Sequence, residues 1–596
     1  MPVSNPFSSH RLFHFAGRIF FVLAVTLACP VRALAQPPVF TRVTGPNNPI
    51  VTDALQSAGG SWTDLDGDGF LDLIVLNGIT LSQSNSLYLH ASGMSFLRVV
   101  TGDIPNDAGP SNGGVWGDYD QDGHTDLFVA RRNNAGNLLY RGLGDTAFVK
   151  VTAGAVVTDL ANSNSGSWVD IDRDGDLDLY VVNFQGDDFL YLNGGAPDWP
   201  LTRTLVPTLT PGNEFSIHGA WADFDGDCDE DLFVGNAGSQ NDYLFVNGGD
   251  LTFTKRGFPD QSSTLGASWA DFDADGDLDL FVANFLHEFS ILYRNSGAPA
   301  FTLTPVPTSV YVPDAANSVG SAWGDIDNDG DLDLFVANDG EPSALYRNAG
   351  PPGFALTRAT SGAEIANIGN SFGCSFADVD RDGALDLWVA NRLNQPNFLY
   401  HNDGPVGGWA AFRCVGSTPN RSGVGARLRV LATIGGSPRW QMQEVMPLSG
   451  YNSQNLELHF GIGGATQLDS VLVNWPSGAR DTFTAVPAGR LITITEHQAL
   501  VGVETPNPAR ARLRITTRNP FRGAIELAYE LTEEALVTLE VIDLGGRKIA
   551  TLDAGRRSPG LHRSRFEAPA NLRPGLYWAR LDVAGAREVV GLTLLR

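Results

Sequence analysis

The residues that could do chemistry in this chain are aspartates set on alternate positions of a short loop. The pattern Asp-x-Asp-x-Asp-x-x-x-Asp-Leu occurs seven times, opening at Asp64, Asp118, Asp170, Asp223, Asp271, Asp325 and Asp378. Alternate side chains of a tight loop point three carboxylates at one centre, and a glycine at the sixth place permits the sharp turn. This is the first half of an EF-hand-like loop, which adds a carbonyl from position seven; here an aspartate at position nine takes the place of the distal glutamate. The expected metal ligands are Asp64, Asp66, Asp68 and Asp72 in the first loop, and Asp118, Asp120, Asp122 and Asp126 in the second. They are Asp170, Asp172, Asp174 and Asp178 in the third, and Asp223, Asp225, Asp227 and Asp231 in the fourth. The fifth offers Asp271, Asp273, Asp275 and Asp279 with the carbonyl of Asp277. The sixth offers Asp325, Asp327, Asp329 and Asp333, and the seventh Asp378, Asp380, Asp382 and Asp386. Hard oxygens without His or Cys select calcium over zinc, and magnesium resists such dehydrated cages.

Up to seven Ca²⁺ are therefore expected, the weakest at the Asp223 loop, where Cys228 stands in the glycine position. A Cβ there is strained if φ is positive. The plainer reading, Asx-rich turns that bind nothing, sits poorly with fixed spacing in seven copies. The charge agrees: the motifs hold 32 aspartates against 67 acidic residues in all, and carboxylates so close repel strongly without a cation. Seven similar sites spread over a ring suit structural staples, not one catalytic centre.

These loops need a scaffold that repeats with them. The spacings between successive first aspartates are 54, 52, 53, 48, 54 and 53 residues. An aromatic residue stands two places before each: Trp62, Trp116, Trp168, Trp221, Trp269, Trp323 and Phe376. Each unit offers four short β-rich runs, among them Asp333–Asn338 and Ala344–Asn348. Four-stranded units at a period near 50 residues are the signature of propeller blades. The seven copies resemble the FG-GAP/VCBS repeats of integrin α-subunit propellers and many bacterial secreted proteins. The resemblance implies an all-β, seven-bladed β-propeller over residues 36–405 with calcium in its loops. An asparagine follows the ninth-position aspartate by five residues in six repeats (Asn77, Asn183, Asn236, Asn284, Asn338 and Asn391). It reads first as a strand-ending turn residue, and otherwise as part of a binding face.

Composition shifts at Gly404-Pro405-Val406-Gly407-Gly408, read as a linker. Residues 409–497 contain Asn420–Arg427, Gly450–Gln454 with His459–Gly463, and Val473–Gly478. Together these resemble the ASPIC/UnbV domain, a small β-rich unit, and the arrangement is similar to that of the cartilage acidic protein family. That likeness implies an extracellular, calcium-linked binding role. Residues 505–596 carry 15 bases and 10 acids, against the strong acidity of the rest. Alternating runs such as Val537–Asp543 and Pro574–Leu581 resemble the C-terminal Ig-like β-sandwich that sorts type IX secretion substrates. This implies a Gram-negative bacterium, the type IX machinery as partner, and release or anchoring at the outer surface. Arg522-Gly523 stands where that family has a second Asn-Pro.

Residues 1–35 read as a signal peptide: Arg11 and Arg18, an apolar stretch from Ile19 to Ala28, and Ala33-Leu34-Ala35 before a cut near Ala35. An uncleaved anchor is the alternative. No other segment suggests a membrane span. With 596 residues and a net charge of −27, the chain lacks the basic face a nucleic acid needs. Cys228, Cys374 and Cys414 remain after cleavage, as one extracellular pair or as buried thiols. No G-x-S-x-G, H-E-x-x-H or phosphate-binding loop occurs. His218 with Glu214, and His287 with Glu288, read as solvated loop residues. The expected function is a secreted or cell-surface calcium propeller that binds or adheres to an extracellular glycan or protein, without catalytic residues. The alternative is a lyase-like polysaccharide enzyme on the same scaffold.

Overall fold

Each repeat folds from one alternation of composition. A Gly- and Ser-rich strand enters the aspartate loop, and an apolar strand such as Asp279–Asn284, buried throughout, leaves it. In the computed structural model, residues 40–595 are described except 47, 79–80, 145, 210–213, 259–260, 405–406, 418–419, 447, 450–451, 454, 499, 501–512, 516–520, 532–533, 544–546, 570–571 and 584–585. The signal-peptide segment, Pro405-Val406, Tyr451 and Asn519-Pro520 lie outside the described residues.

Blade one is the antiparallel sheet Ser57–Thr63, Asp72–Asn77, Ser86–Ser92, Ser95–Val99. Five more four-stranded blades follow, opening with Ser111–Gly117, Ser163–Val169, Glu214–Ala222, Thr264–Ala270 and Ser318–Gly324. Blade seven takes three strands from Ile368–Ala377, Asp386–Asn391 and Phe398–Asn402. Its fourth comes from the start of the described chain: Phe40–Arg42 pairs antiparallel with Phe398–Asn402, Phe40 opposite Asn402. The ring is thus closed by hydrogen bonds between residues 360 positions apart, and the sheet edge that blade seven would expose is covered.

The aromatic that precedes each loop packs between blades. Trp62 donates its indole N–H to Ser375 Oγ of blade seven at 3.0 Å, Trp269 to the Ala220 carbonyl at 3.2 Å, and Trp323 to Ser268 Oγ at 3.1 Å. At the end of the ring away from the aspartate loops, short antiparallel pairs join neighbouring blades, such as Gln83–Ser84 with Ala108–Gly109 and Glu288–Phe289 with Ala315–Ala316. Among the described residues no such pair joins blades four and five, the junction where the spacing falls to 48 residues.

Beyond the ring, a three-stranded sheet (Glu457–Gly463, Gly408–Val415, Leu491–Thr495) faces a four-stranded one (Ser437–Glu444, Arg427–Ile434, Gln467–Asn474, Arg480–Pro487). Phe412, Leu428, Val430, Phe460, Val471 and Trp475 fill its core. Two further sheets, three-stranded around Ala524–Leu531 and four-stranded around Ala535–Asp543, close on Leu527, Leu539, Val541, Phe566 and Leu581 as a sandwich. No helix among the described residues is long and apolar enough to cross a membrane.

Candidate metal loops and the domain that covers them

The loops are held by their own aspartates. The first aspartate accepts the N–H of position six: Gly69 to Asp64 at 3.1 Å, Gly123 to Asp118 at 3.0 Å, Gly383 to Asp378 at 3.1 Å. The fifth-position aspartate accepts the N–H of position seven, as Phe70 to Asp68 at 2.9 Å and Ala384 to Asp382 at 2.8 Å. The ninth-position aspartate ties the loop to the third strand: Asp178 Oδ1 accepts the Asn193 N–H, and Asp386 Oδ1 that of Asn402, at 2.7 and 2.9 Å. The sixth residue carries positive φ in every loop, 88° at Gly69, 95° at Gly276 and 71° at Cys228. The strain expected at Cys228 is therefore present.

Carboxylate oxygens of positions one, three and nine converge within 4.8 Å in loops one, three and four (Asp64, Asp66, Asp72; Asp170, Asp172, Asp178; Asp223, Asp225, Asp231). In loop two the trio is Asp118, Asp120 and Asp122, and in loop seven Asp380 and Asp382 meet His401. In loops five and six, Asp279 lies in the field of Asp271, Asp273 and Asp275, and Asp333 in that of Asp325, Asp327 and Asp329. Burial, then neighbouring carboxylates, pushes Asp126 and Asp231 up to about 9 and Asp271 up to about 8. A divalent cation among them reverses that logic, since an adjacent positive charge favours the ionised form. Shielded oxygens without a hydrogen-bond partner among the described residues, Asp118 Oδ1, Asp279 Oδ2 and Asp378 Oδ1, fit the same group. The donor set is one that calcium accepts.

The domain after the ring sits on these loops. Arg381, in loop seven, makes a bidentate pair with Glu457 at 2.6 and 2.9 Å. Arg413 reaches Glu457 at 2.8 Å and Asp64 at 3.4 Å. Arg427 stands 3.4 Å from Asp223, Arg439 pairs with Asp331, and Ser422 Oγ accepts the Asp118 N–H at 2.9 Å. Asn328 of loop six accepts the Gly463 N–H on its carbonyl at 2.8 Å, and its side chain meets His459 Nε2 at 2.9 Å. Gly461 is required there, because a Cβ would strike Asp325 and the Asn328 backbone. The ribbon of Leu448–Ser449 and Asn452–Ser453 lies against the inner strands of blades one, two, four, five and seven, which places it on the ring axis. Ala58, Ile217, Val319 and Phe372 fill the axis at the other end.

A cavity of about 110 Å³ remains in this seam, lined by Trp269, Trp323, Met442 and Met446. Of its ionisable groups, Arg381 pairs with Glu457, Glu444 with Arg427, and His459 meets Asn328, while Asp378 belongs to the seventh aspartate loop.

The asparagine that follows the ninth-position aspartate in six blades is a turn clamp, as its first reading holds; blade two has Arg131 there. Asn284 Nδ2 donates to the Phe289 carbonyl and Asn391 Nδ2 to that of Pro396, both at 2.8 Å. A second asparagine went unread in the sequence. Asn295 donates to the Phe224 carbonyl, Asn348 to Phe272 and Asn402 to Ile326, each fixing the preceding blade's loop at 2.8–2.9 Å. The recurring Tyr-x-Asn of the third strand is its signal. His218 corrects an expectation: it is no solvated loop residue but lies buried on the inner strand of blade four, where burial holds its imidazole down at about 3. His287 is exposed and meets Glu341 at 3.2 Å. Cys228, Cys374 and Cys414 are all free, the last two buried.

A family model described as FG-GAP-like repeat matches residues 64–129, 118–181, 170–234, 223–282 and 325–389. All seven aspartate loops begin inside these stretches. A second model, ASPIC and UnbV, matches residues 416–501. No curated protein matches the chain.

Proposed function

We propose that this chain, an FG-GAP-like repeat propeller followed by an ASPIC and UnbV domain, is a calcium-stabilised binding protein of the cell exterior. Calcium fills the aspartate loops, and the UnbV domain caps them. A macromolecular partner, glycan or protein, is received on the opposite end of the ring.

One observation carries this reading. The loop end is covered, whereas the other end presents Leu81, Leu160, Leu286, Phe289, Ile368 and Leu393, each about half exposed or more. All six lie where strand two hands over to strand three, or at or just before the start of the first strand, which is the end away from the loops. Large apolar side chains gathered at one exposed face mark an interaction surface. Binding without turnover is favoured because Arg381, Glu457 and Glu444 of the interdomain cavity are held in ion pairs and Asp378 belongs to an aspartate loop.

The test uses the calcium-loaded chain against a panel of bacterial, algal and plant polysaccharides and surface proteins. Retention of a partner, lost in Leu286→Asp/Phe289→Asp without loss of thermal stability, supports the reading. Release of new reducing ends or unsaturated uronates overturns it in favour of a lyase-like enzyme. Residues 505–596 are proposed as the sorting signal for type IX export to the surface of a Gram-negative bacterium, after removal of residues 1–35. Deleting 505–596 should then leave the chain in the periplasm.

A further inference from the structure

The seventh loop differs from the other six in what stands over it. The third-strand residue that faces the second aspartate of the loop is an arginine in blades two, five and six. Arg141 Nε lies 3.4 Å from Asp120, Arg294 Nε 2.6 Å from Asp273, and Arg347 acts on Asp327. Blades one, three and four have Leu89, Leu192 and Val246 there. Blade seven has His401. An arginine can only neutralise the loop, and an aliphatic residue ignores it. A neutral imidazole can donate a lone pair to a metal.

The geometry around His401 is that of a ligand. Its Nε2 lies 3.3 Å from Asp380 Oδ2 and 3.7 Å from Asp382 Oδ2. Bonds of 2.0–2.2 Å in a tetrahedral zinc site set ligand atoms roughly 3.3–3.6 Å apart. Its Nδ1 lies 2.6 Å from Asp403 Oδ1. A carboxylate behind the imidazole fixes the tautomer that leaves Nε2 free, and this support recurs behind metal-bound histidines. Two shielded oxygens of the same loop, Asp378 Oδ1 and Asp380 Oδ1, have no hydrogen-bond partner among the described residues, and Asp378 is 4% exposed. His401 and Asp382 are partly open to solvent, so an ion has a way in.

We propose that the seventh loop is a mixed nitrogen–oxygen site that takes a borderline divalent ion of the zinc type in place of calcium. His401, Asp380 and Asp382 are its ligands, and Asp403 is the positioning residue behind His401. The inference rests on the reading that these loops are cation sites. Soft-to-borderline nitrogen donors favour zinc over calcium, which prefers an all-oxygen shell.

Cobalt(II) is the probe, because its visible absorption reports nitrogen–oxygen ligation directly. The full chain in excess calcium is titrated with Co²⁺, and bound calcium is counted on the same samples. His401→Arg places in blade seven the residue that blades two, five and six already use, so the fold is kept while the ligand is lost. The expected result is one Co²⁺ held against calcium, displaced by Zn²⁺, with its visible band abolished in H401R. Asp403→Asn should weaken that ion about 10–100-fold while leaving His401 in place. Cobalt displaced by calcium, or a band unchanged in H401R, overturns the inference and leaves His401 as an ion-pair partner of Asp380. If calcium also fails to bind at any loop, the cation-site reading falls with it; if calcium fills the loops, the inference alone falls.

Discussion

Arg381 of the seventh loop and Glu457 of the UnbV domain form a bidentate ion pair in which both side chains are almost fully buried, 4% and 6% exposed. Burial alone would raise the Glu457 carboxyl; Arg381 and Arg413 together hold it down at about 2. The pair is therefore ionised at neutral pH, and it joins the ring to its cap. Removing one partner of a buried pair leaves an uncompensated charge and costs about 3–5 kcal/mol. Glu457→Gln should lower the unfolding midpoint accordingly. Arg381→Met/Glu457→Met should recover most of the loss. Equal stability of wild type and E457Q in denaturant titration would contradict the seam.

Cys228 holds φ at 71° where six glycines stand in the sister loops. Left-handed backbone costs an L-residue about 1–2 kcal/mol. Cys228→Gly should stabilise the chain by about 1 kcal/mol and tighten calcium at the fourth loop. Chemical denaturation with and without calcium checks both.

The metal-free ring should prefer acid. Asp126, Asp231, Asp178 and Asp271 sit at about 9, 9, 8 and 8 by burial, against 3.8 for the free side chain. A folded-state value above the unfolded one gives stability at low pH that is lost as pH rises through the folded value. In chelator, the melting temperature should therefore rise as pH falls from about 9 toward 6. With saturating calcium the carboxylates stay ionised, and the trend should flatten or invert. Thermal melts at a series of pH values decide it; the same trend in both samples would refute it.

Asn402 pins the sixth loop through the Ile326 carbonyl at 2.8 Å and its own blade's loop through the Leu385 carbonyl at 3.2 Å. Asn402→Ala leaves buried groups unpaired, at about 1–3 kcal/mol. Asn402→Asp should be no better, since a carboxylate cannot donate. Urea midpoints of the two variants measure this.

Much of the scaffold could be read in advance, because its determinants recur. The aspartate spacing, the tryptophan two places earlier and the near-constant period each appear seven times or nearly so. What could not be read has no period. Phe40–Arg42 closes the ring with three residues of no distinctive pattern. The seam arginines Arg413, Arg427 and Arg439 are scattered over a domain whose docking only the folded chain brings about. His401 lies on the strand after the one its loop feeds, so a search for His inside the motif misses it. His218 differs from its loop reading because the inner strand Glu214–Ala222 starts earlier than most of its Gly- and Ser-rich sisters and is buried from Ser216 onward.

The central claim is that cations in the aspartate loops hold the ring under its cap. The most direct measurement is equilibrium calcium binding to the chelator-stripped chain, paired with its melting temperature in the same samples. The account predicts several Ca²⁺ per chain, up to six besides the seventh loop, with a steep rise in melting temperature, since each site adds about 2.7 kcal/mol at a hundredfold excess over Kd. Stoichiometric binding of none, with a melting temperature indifferent to calcium, would contradict it.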